Sequence, residues 1–240
     1  MKYLNELRKD NMRDYTIAEI IEICKSLTVN GGDPWRPVGV PFLDAILHRM
    51  ETKHVGTAHA YYSVFRAITQ ALNPGVVMEV GTWEGSSAAF FADGCPTAEV
   101  FTIDHHSDPG DDKNLERVTE VCNQYSNVSY IQGCSTEVVL KEKPHSRFVK
   151  PILLEQLAGR KIDIFLVDGW HFADMARADY DTYVDLLSNN ALIICDDLCG
   201  GAGVTISGMK EFFEGLPGLE RYIDGAIHAG FPIGFLKHNS

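Results

Sequence analysis

Apolar residues recur at helical spacing in the N-terminal part of the chain and in short runs of strand type after it. These two patterns predict the helices and strands of the protein. Near the N-terminus, apolar residues such as Ile17 and Ile20 recur at helical spacing. This spacing predicts three helices, which end before Asn30-Gly31-Gly32, at Glu51 and before Asn73-Pro74-Gly75. The N-terminal part of the chain is therefore expected to be helical.

Beyond residue 75, short apolar runs of strand type alternate with helical patterns. Strands are predicted over residues 76–80, 99–104, 128–132, 162–168 and 191–197, with a terminal pair at 219–223 and 231–238. Helices are predicted over residues 88–92, 114–125, 152–158, 172–187 and 207–214, with a loop at 141–150 that Pro144 interrupts. This alternation is typical of a doubly wound α/β domain with a parallel sheet.

Residues 1–55 are expected to form a helical cap on a main domain over residues 56–240. The segment from Asp33 to Pro41 is too rich in proline for a helix. It is either a surface connector or a lid over a site, with Trp35 as a flat apolar wall.

The stretch that organises the chain is the turn after the first predicted strand. Val76–Val80 leads into Gly81, and Gly85-Ser86-Ser87 opens the next helix. Such a turn can place unpaired backbone N–H groups beside a nucleotide-like ligand. Its pattern, E-x-G-x-x-x-G-x-S, fits the pyrophosphate-binding fingerprint poorly. A plain strand–turn–helix crossover would also explain the glycines.

The charge and amino-acid composition indicate which kinds of substrate and cellular location to expect. The formal net charge of −12 argues against nucleic acid, which needs clustered Lys and Arg, and favours a small or neutral substrate. No apolar run approaches the roughly 20 residues of a membrane span. The six cysteines include no C-x-x-C pair and indicate a reducing compartment, so a cytoplasmic protein is expected, with a homodimer as a candidate assembly.

Carboxylates follow several of the predicted strands. Because ligands bind beyond the C-terminal ends of parallel strands, Glu79, Asp104, Asp168 and the Asp196-Asp197 pair are expected at one edge. Asp104 lies about 20 residues past the glycines, where an acid would bind ribose hydroxyls. Asp168, Asp196 and Asp197 should converge, and oxygen-only ligands suit a hard cation such as Mg²⁺.

Several of these motifs together resemble a known family. The glycine turn is similar to motif I of class I S-adenosylmethionine-dependent methyltransferases. Asp168-Gly169-Trp170-His171 with Asp196-Asp197 resembles the metal site of the catechol O-methyltransferase-like family. Val55–Ala58 resembles its cofactor mouth and Gly133–Thr136 its adenine-side turn. The resemblance covers roughly residues 42 to 238.

The resemblance implies a fold, a cofactor and a metal. The fold would be a seven-stranded, mostly parallel sheet of order 3-2-1-4-5-7-6, the last strand antiparallel. The implied metal is Mg²⁺, with Mn²⁺ or Ca²⁺ as substitutes, held by Asp168, Asp196 and Asp197. The implied S-adenosylmethionine-binding residues are Gly56, Thr57, Glu79, Gly81, Thr82, Gly85, Ser86, Ser87, Asp104, His105, Gly133, Cys134, Ser135 and Asp168. His105 and His106 either flank the adenine or belong to a loop.

Two departures from the family pattern concern the acceptor. Asp197 replaces the usual Asn, and His171 replaces a catalytic Lys. Both are similar to macrolide sugar O-methyltransferases, which implies His171 as general base, assisted by Asp168, and a vicinal diol, catechol or sugar as acceptor. The alternatives are a Rossmann-type NAD-dependent oxidoreductase and a non-catalytic ligand-binding protein with this fold.

Overall fold

The structure is a computed structural model that describes residues 12–28, 37–53, 61–108, 110–198, 208–218, 220–224 and 232–238. Trp35 and most of its proline-rich segment lie outside the described residues, as do Gly56 and Thr57. The lid and the predicted cofactor mouth therefore stay predictions.

Helices and strands alternate from β1 onward, after three N-terminal helices. The helices are α1 (Ile17–Thr28), α2 (Pro41–Lys53), α3 (Tyr61–Leu72), α4 (Ser86–Gly94), α5 (Asp112–Gln124), α6 (Glu137–Glu142), α7 (Lys150–Leu157), α8 (Ala173–Tyr183) and α9 (Met209–Glu214). The strands are β1 (Val76–Val80), β2 (Glu99–Asp104), β3 (Val128–Gln132), β4 (Ile162–Val167), β5 (Leu187–Cys195), β6 (Glu220–Asp224) and β7 (Ile233–Lys237).

The strands form one sheet in the order β3-β2-β1-β4-β5-β7-β6. β1 to β5 are parallel, whereas β7 runs antiparallel to both β5 and β6. The predicted fold class and strand order are confirmed. Because β1, β2, β4 and β5 are parallel, the segments that follow them leave the sheet at the same edge.

Each face of the sheet has its own core, and the period of two in a strand separates them. In β1, Val77 packs into one core, while Val76, Met78 and Val80 pack into the other. The first core is covered by α1 to α4, and the second by α7, α8 and α9. Since the central strands are buried on both sides, their sequences are almost continuously apolar.

The expected N-terminal cap packs directly on the first core. Ile17, Ile20 and Leu43 belong to the same buried cluster as Val77 and Phe235 of the sheet. α1 and α2 thus belong to the layer that covers this face, and the division into a cap and a main domain stays a prediction. No helix in the described part of the chain has the length and apolar character needed to cross a membrane.

Three element boundaries differ from the prediction. Glu137–Glu142 forms a short helix that the sequence pattern does not predict, and the Thr136 hydroxyl caps it by accepting the Val139 N–H. The helix predicted from residue 172 is too long, because α8 ends at Tyr183 and β5 already begins at Leu187. α4 begins at Ser86, before the predicted start at residue 88. Gly85 is its N-cap residue and has a left-handed φ of 74°.

Candidate active site

A cavity of about 560 Å³ opens at the edge where the parallel strands end. It brings together residues from the ends of β1, β2, β3, β4 and β5, as expected for an open parallel sheet. The predicted residues on its wall are Gly81, Thr82, Ser86, Ser87, Asp104, His105, Gly133, Cys134, Ser135, Asp168, His171, Asp196 and Asp197. Glu79 and Gly85 are not on the wall and lie behind it.

The glycine turn is fixed by close contacts within the protein. Gly81 has a φ of 96°, and a Cβ atom there would lie 1.9 Å from the carbonyl oxygen of Asp168. Gly133 is similarly enclosed, since a Cβ atom would lie 2.5 Å from the carbonyl oxygen of Arg147. Gly81 therefore lets the ends of β1 and β4 approach closely, and Gly133 lets the loop before α7 approach the end of β3.

Buried ion pairs stabilise the turn between β1 and α4. Glu84 is fully buried, and its carboxylate pairs with Arg49 of α2 and Arg117 of α5. A carboxylate is costly to bury unless it is paired. The pairs therefore link an N-terminal helix to the turn that forms the cavity wall.

Glu79 acts on the same turn from behind. Its side chain is fully buried, and it accepts hydrogen bonds from the Ser87 hydroxyl and from Thr102 Oγ1, the latter at 2.6 Å. Burial raises the pKa of Glu79 to about 7, although both hydroxyls oppose the shift. In the structure Glu79 therefore supports the first turn of α4, and its predicted contact with the cofactor stays a prediction.

The raised pKa of Glu79 predicts a dependence of stability on pH. A carboxyl whose folded pKa is raised favours folding below its unfolded pKa of 4.5 and loses that contribution as pH rises through about 7. Glu79→Gln should remove up to about 3 kcal/mol of this pH dependence. Urea unfolding at about pH 5 and about pH 8 would measure it. Glu116→Gln, on an exposed part of α5, is the matched control, and equal pH dependence in both variants would contradict the assignment.

Asp104 is oriented by the backbone around it. Its Oδ2 accepts the Trp83 N–H at 2.9 Å, and its carboxylate is exposed to the cavity at the end of β2. His106 contacts the Trp83 carbonyl at 2.9 Å and the Tyr130 hydroxyl at 2.6 Å. His106 is thus a structural member of this wall, whereas His105 faces Trp170 at the rim.

Three residues on the wall have left-handed backbone conformations that are uncommon outside glycine. The φ angles are 44° at Trp83, 36° at His106 and 48° at Asp197. Asp tolerates this region better than most residues, but Trp does not. Such conformations cluster at functional sites, where the surroundings impose them.

Ser86 provides an unused polar group at the start of α4. Its hydroxyl oxygen is buried and makes no hydrogen bond with any described residue. The first N–H groups of a helix have no intrahelical partner and carry partial positive charge. Because Ser86 lines the cavity, this end of α4 can receive a carboxylate.

His171 lies between two of the predicted metal ligands. Its Nε2 donates to Asp168 Oδ1 at 3.2 Å, and its Nδ1 donates to Asp197 Oδ2 at 2.7 Å. Burial would lower the pKa of His171, but the two carboxylates outweigh it and raise the pKa to about 11. The raised pKa favours the protonated ring in this arrangement, in which both ring nitrogens can donate.

The carboxyl groups around His171 lie close enough to affect one another. Burial, followed by the charge of Asp196, raises the pKa of Asp168 well above its usual range. Asp197 Oδ1 is buried and makes no hydrogen bond within the described part of the chain. A buried oxygen-only donor set of this kind fits a hard divalent cation.

A compact cluster of metal-ligand type is found elsewhere on the rim. In the described residues, ligand atoms of His105, Asp108 and Asp111 lie within 4.8 Å of one another. The predicted triad is not such a compact group, because the His171 ring separates Asp168 from Asp197. The rim cluster has another explanation: Asp108 pairs with Lys143, and Asp111 accepts the Asp108 N–H at 2.7 Å.

Several residues of the wall carry no clear signal in the sequence pattern. Tyr62 of α3, and Met175 and Asp179 of α8, line the cavity from helices. Asp179 is buried inside a stripe that is otherwise core packing. Its only sequence signal is a carboxylate on the buried side of a predicted helix.

Comparison with known proteins identifies the family. The family model described as a methyltransferase domain matches residues 78–198, about half of the chain. The chain belongs to this methyltransferase family. The match runs from β1 to the residue after the Asp196-Asp197 pair, so it includes the glycine turn, Asp104 and the carboxylate group. The family predicted from the sequence is confirmed, and the oxidoreductase alternative is not supported.

Solved structures share the methyltransferase fold at low sequence identity. Cofactor-bound Rv0187 from MTB is 18% identical with a TM-score of 0.58, covering 95% of this chain and 100% of that chain. The O-methyltransferase from Bacillus cereus in complex with SAH is 13% identical, with a TM-score of 0.53 and coverages of 98% and 96%. The O-methyltransferase TomG from Streptomyces achromogenes, in complex with SAM, is 14% identical, with a TM-score of 0.52 and coverages of 98% and 95%. No curated protein sequence matches the chain.

Proposed function

We propose that this methyltransferase transfers the methyl group of S-adenosylmethionine to a hydroxyl oxygen of a small molecule, with a divalent cation at Asp168, Asp196 and Asp197. The observation that carries the proposal is one cavity wall that presents three kinds of group side by side. They are the start of α4 with Ser86, the Asp104 carboxylate, and the carboxylates around His171.

We expect the cofactor to lie along this wall. Asp104, at the end of β2, would accept hydrogen bonds from the ribose hydroxyls. The start of α4 and the free Ser86 hydroxyl would bind the methionine carboxylate. Cys134 and Ser135, after β3, would border the base. The solved O-methyltransferases of this fold that hold SAH or SAM support the same cofactor.

The carboxylate group would hold the cation. When bound, a divalent cation stabilises negative charge on a hydroxyl oxygen and lowers its pKa. Asp197 would contribute the Oδ1 atom that makes no hydrogen bond with described residues. Asp197 already has the left-handed backbone that turns its side chain toward this group.

His171 would accept the proton of the acceptor hydroxyl. In the arrangement described, the pKa of His171 is raised to about 11, which favours the protonated ring. The ring therefore does not have the ordinary pKa that a general base needs near neutral pH. If Asp168 and Asp197 held a cation, they would interact less strongly with the ring, and the pKa of His171 would fall. Base function of His171 is therefore proposed to depend on occupancy of the cation site.

The acceptor is proposed to be a vicinal diol, catechol or sugar. Two adjacent oxygens suit a cation that keeps positions open for substrate. Trp170 lies beside His171 at the cavity wall and is partly exposed, so it can cover a flat or ring-shaped molecule. A net charge of −12 disfavours a strongly acidic acceptor.

The cofactor assignment is tested by calorimetry with S-adenosylhomocysteine. Asp104→Ala should weaken binding by about 1–3 kcal/mol, because the charge-assisted hydrogen bonds to ribose are lost. Asp112→Ala, an exposed aspartate on α5, should bind like the parent.

The same titration with NAD separates the proposed function from its alternative. Preferential binding of NAD, with no response to S-adenosylhomocysteine, would refute a methyltransferase cofactor site. Tight binding of S-adenosylhomocysteine without transfer to any hydroxylated acceptor would leave a ligand-binding protein as the better description.

A further inference from the structure

Trp83 has a backbone conformation that needs support from other parts of the chain. Its φ is 44°, in the left-handed region, and the residue lies on the cavity wall between β1 and α4. A bulky side chain disfavours this region, so the conformation persists only where neighbouring groups impose it. Two side chains contact the Trp83 backbone, one on each side of its Cα atom. They belong to Asp104, which ends β2, and to His106 in the loop that follows.

Asp104 contacts the N-terminal side of Trp83. Its Oδ2 accepts the Trp83 N–H at 2.9 Å, whereas its Oδ1 accepts the His106 N–H at the longer distance of 3.4 Å. The Trp83 N–H therefore fixes one oxygen of a carboxylate that lines the cavity. The direction of the Asp104 carboxylate thus depends on the position of the Trp83 backbone.

His106 contacts the C-terminal side of Trp83. The residue is 8% exposed, and its Nε2 lies 2.9 Å from the Trp83 carbonyl oxygen. Because a carbonyl oxygen only accepts, Nε2 carries the hydrogen of this contact. The N–H of Trp83 is thus held by one side chain and its carbonyl by the other. Together the two contacts restrain both backbone dihedrals of Trp83.

Tyr130 of β3 sets the tautomer of the His106 ring. Its hydroxyl oxygen lies 2.6 Å from Nδ1 of the ring and 3.2 Å from the Asp104 carbonyl oxygen. Burial raises the pKa of Tyr130, so the hydroxyl keeps the one proton that it can donate. The shorter contact favours donation to Nδ1, which leaves the ring hydrogen on Nε2. A chain of hydrogen bonds therefore runs from Tyr130 to the Asp104 carboxylate.

We propose that His106 is a positioning residue for ribose recognition, which holds Trp83 so that its N–H keeps the Asp104 carboxylate directed into the cavity. The inference rests on the proposed function, in which Asp104 binds the ribose hydroxyls of the cofactor. It goes further, because it makes cofactor affinity depend on a histidine that acts through Trp83.

The test compares S-adenosylhomocysteine with its dideoxyribosyl analogue, which lacks both ribose hydroxyls, by calorimetry. The parent should bind S-adenosylhomocysteine about 10-fold or more tightly than the analogue, which cannot make the charge-assisted hydrogen bonds to Asp104. His106→Leu should lower this ratio about 5-fold, because the Trp83 carbonyl loses its donor. His106→Gln should keep the ratio, since its amide N–H can replace the ring N–H. Neither replacement is branched at Cβ, so both carry similar strain at the φ of 36° and the comparison isolates the hydrogen bond.

Two further comparisons make the result specific to this chain of hydrogen bonds. His145→Leu, an exposed change, should leave the ratio unchanged. In an Asp104→Ala background the ratio should be close to one, and His106→Leu should not change it further, because the two residues act on the same contact. If His106→Leu does not fold, Tyr130→Phe decides. It leaves Nδ1 of the ring without its donor and should lower the ratio about 3-fold.

A purely structural role for His106 would weaken both ligands equally, and an unchanged ratio would overturn the proposal. So would His106→Gln with the same reduced ratio as His106→Leu, or a parent protein that binds the two ligands equally well. Absence of any binding of S-adenosylhomocysteine to the parent would refute the proposed function itself.

Discussion

Removal of divalent cations with a chelator should abolish methyl transfer, and added Mg²⁺ or Mn²⁺ should restore it. The reason is the crowding of carboxyl groups around Asp168, whose pKa is raised by burial and by Asp196 and which a cation would allow to ionise. Asp168→Asn should lower turnover by more than the roughly 10- to 100-fold typical of residues that only support metal ligands. Turnover with labelled S-adenosylmethionine and a hydroxylated acceptor is the measurement.

Two controls make this result specific to the carboxylate group. Asp185→Asn, an exposed aspartate, should keep parental activity. Calorimetric titration of Mg²⁺ into the cofactor-free protein should show binding that Asp168→Asn removes. Full turnover in excess chelator would make the carboxylates structural and favour a metal-independent transferase.

The same carboxylates show how far sequence reasoning extends. The strands can be predicted because β1, β4 and residues 191–195 of β5 are buried on both faces and therefore read as mainly apolar runs. Parallel strands place their C-terminal ends at one edge, so the sequence alone is enough to assign Asp104, Asp168 and Asp196 to one cavity. Sheet topology thus determines which residues are neighbours.

Side-chain pairing within the cavity cannot be predicted in the same way. The sequence indicates that His171 follows Asp168, but only the fold shows that Asp197 contacts the other ring nitrogen and changes the pKa of the histidine. Glu79 closes an ordinary strand pattern, yet Ser87 and Thr102 hold it behind the wall. These interactions depend on tertiary packing between separate elements.

Helical residues of the wall have the weakest signal in the sequence. Asp179 belongs to an amphipathic helix whose apolar stripe packs on the sheet, and a carboxylate there has no motif of its own. Its place on the cavity wall becomes visible only in the fold, where α8 lies beside the turn that follows β3. A residue of this kind is found through its burial and its missing hydrogen bond.

Replacement of His171 by Ala should lower turnover by roughly 10²- to 10⁴-fold, the usual contribution of a positioned general base. Affinity for S-adenosylhomocysteine should change little, because His171 faces the carboxylates around Asp168. At saturating cation, the parent should lose activity as pH falls and the imidazole becomes protonated, whereas the variant should lack this acid limb. Rates over a pH series, with binding measured in parallel, would check both effects.

The pH at which the parent loses activity should also depend on the cation concentration, which a simple loss of activity would not show. In the paired arrangement Asp168 and Asp197 raise the pKa of the ring to about 11, which favours the protonated form that cannot accept a proton. Lowering the cation concentration should therefore move the acid limb of the parent toward higher pH, as the ring returns to the carboxylates. His145→Ala, on an exposed loop, should behave like the parent. Near-parental turnover in His171→Ala, with the same acid limb, would exclude this histidine as the base and leave proton removal to solvent or to another group.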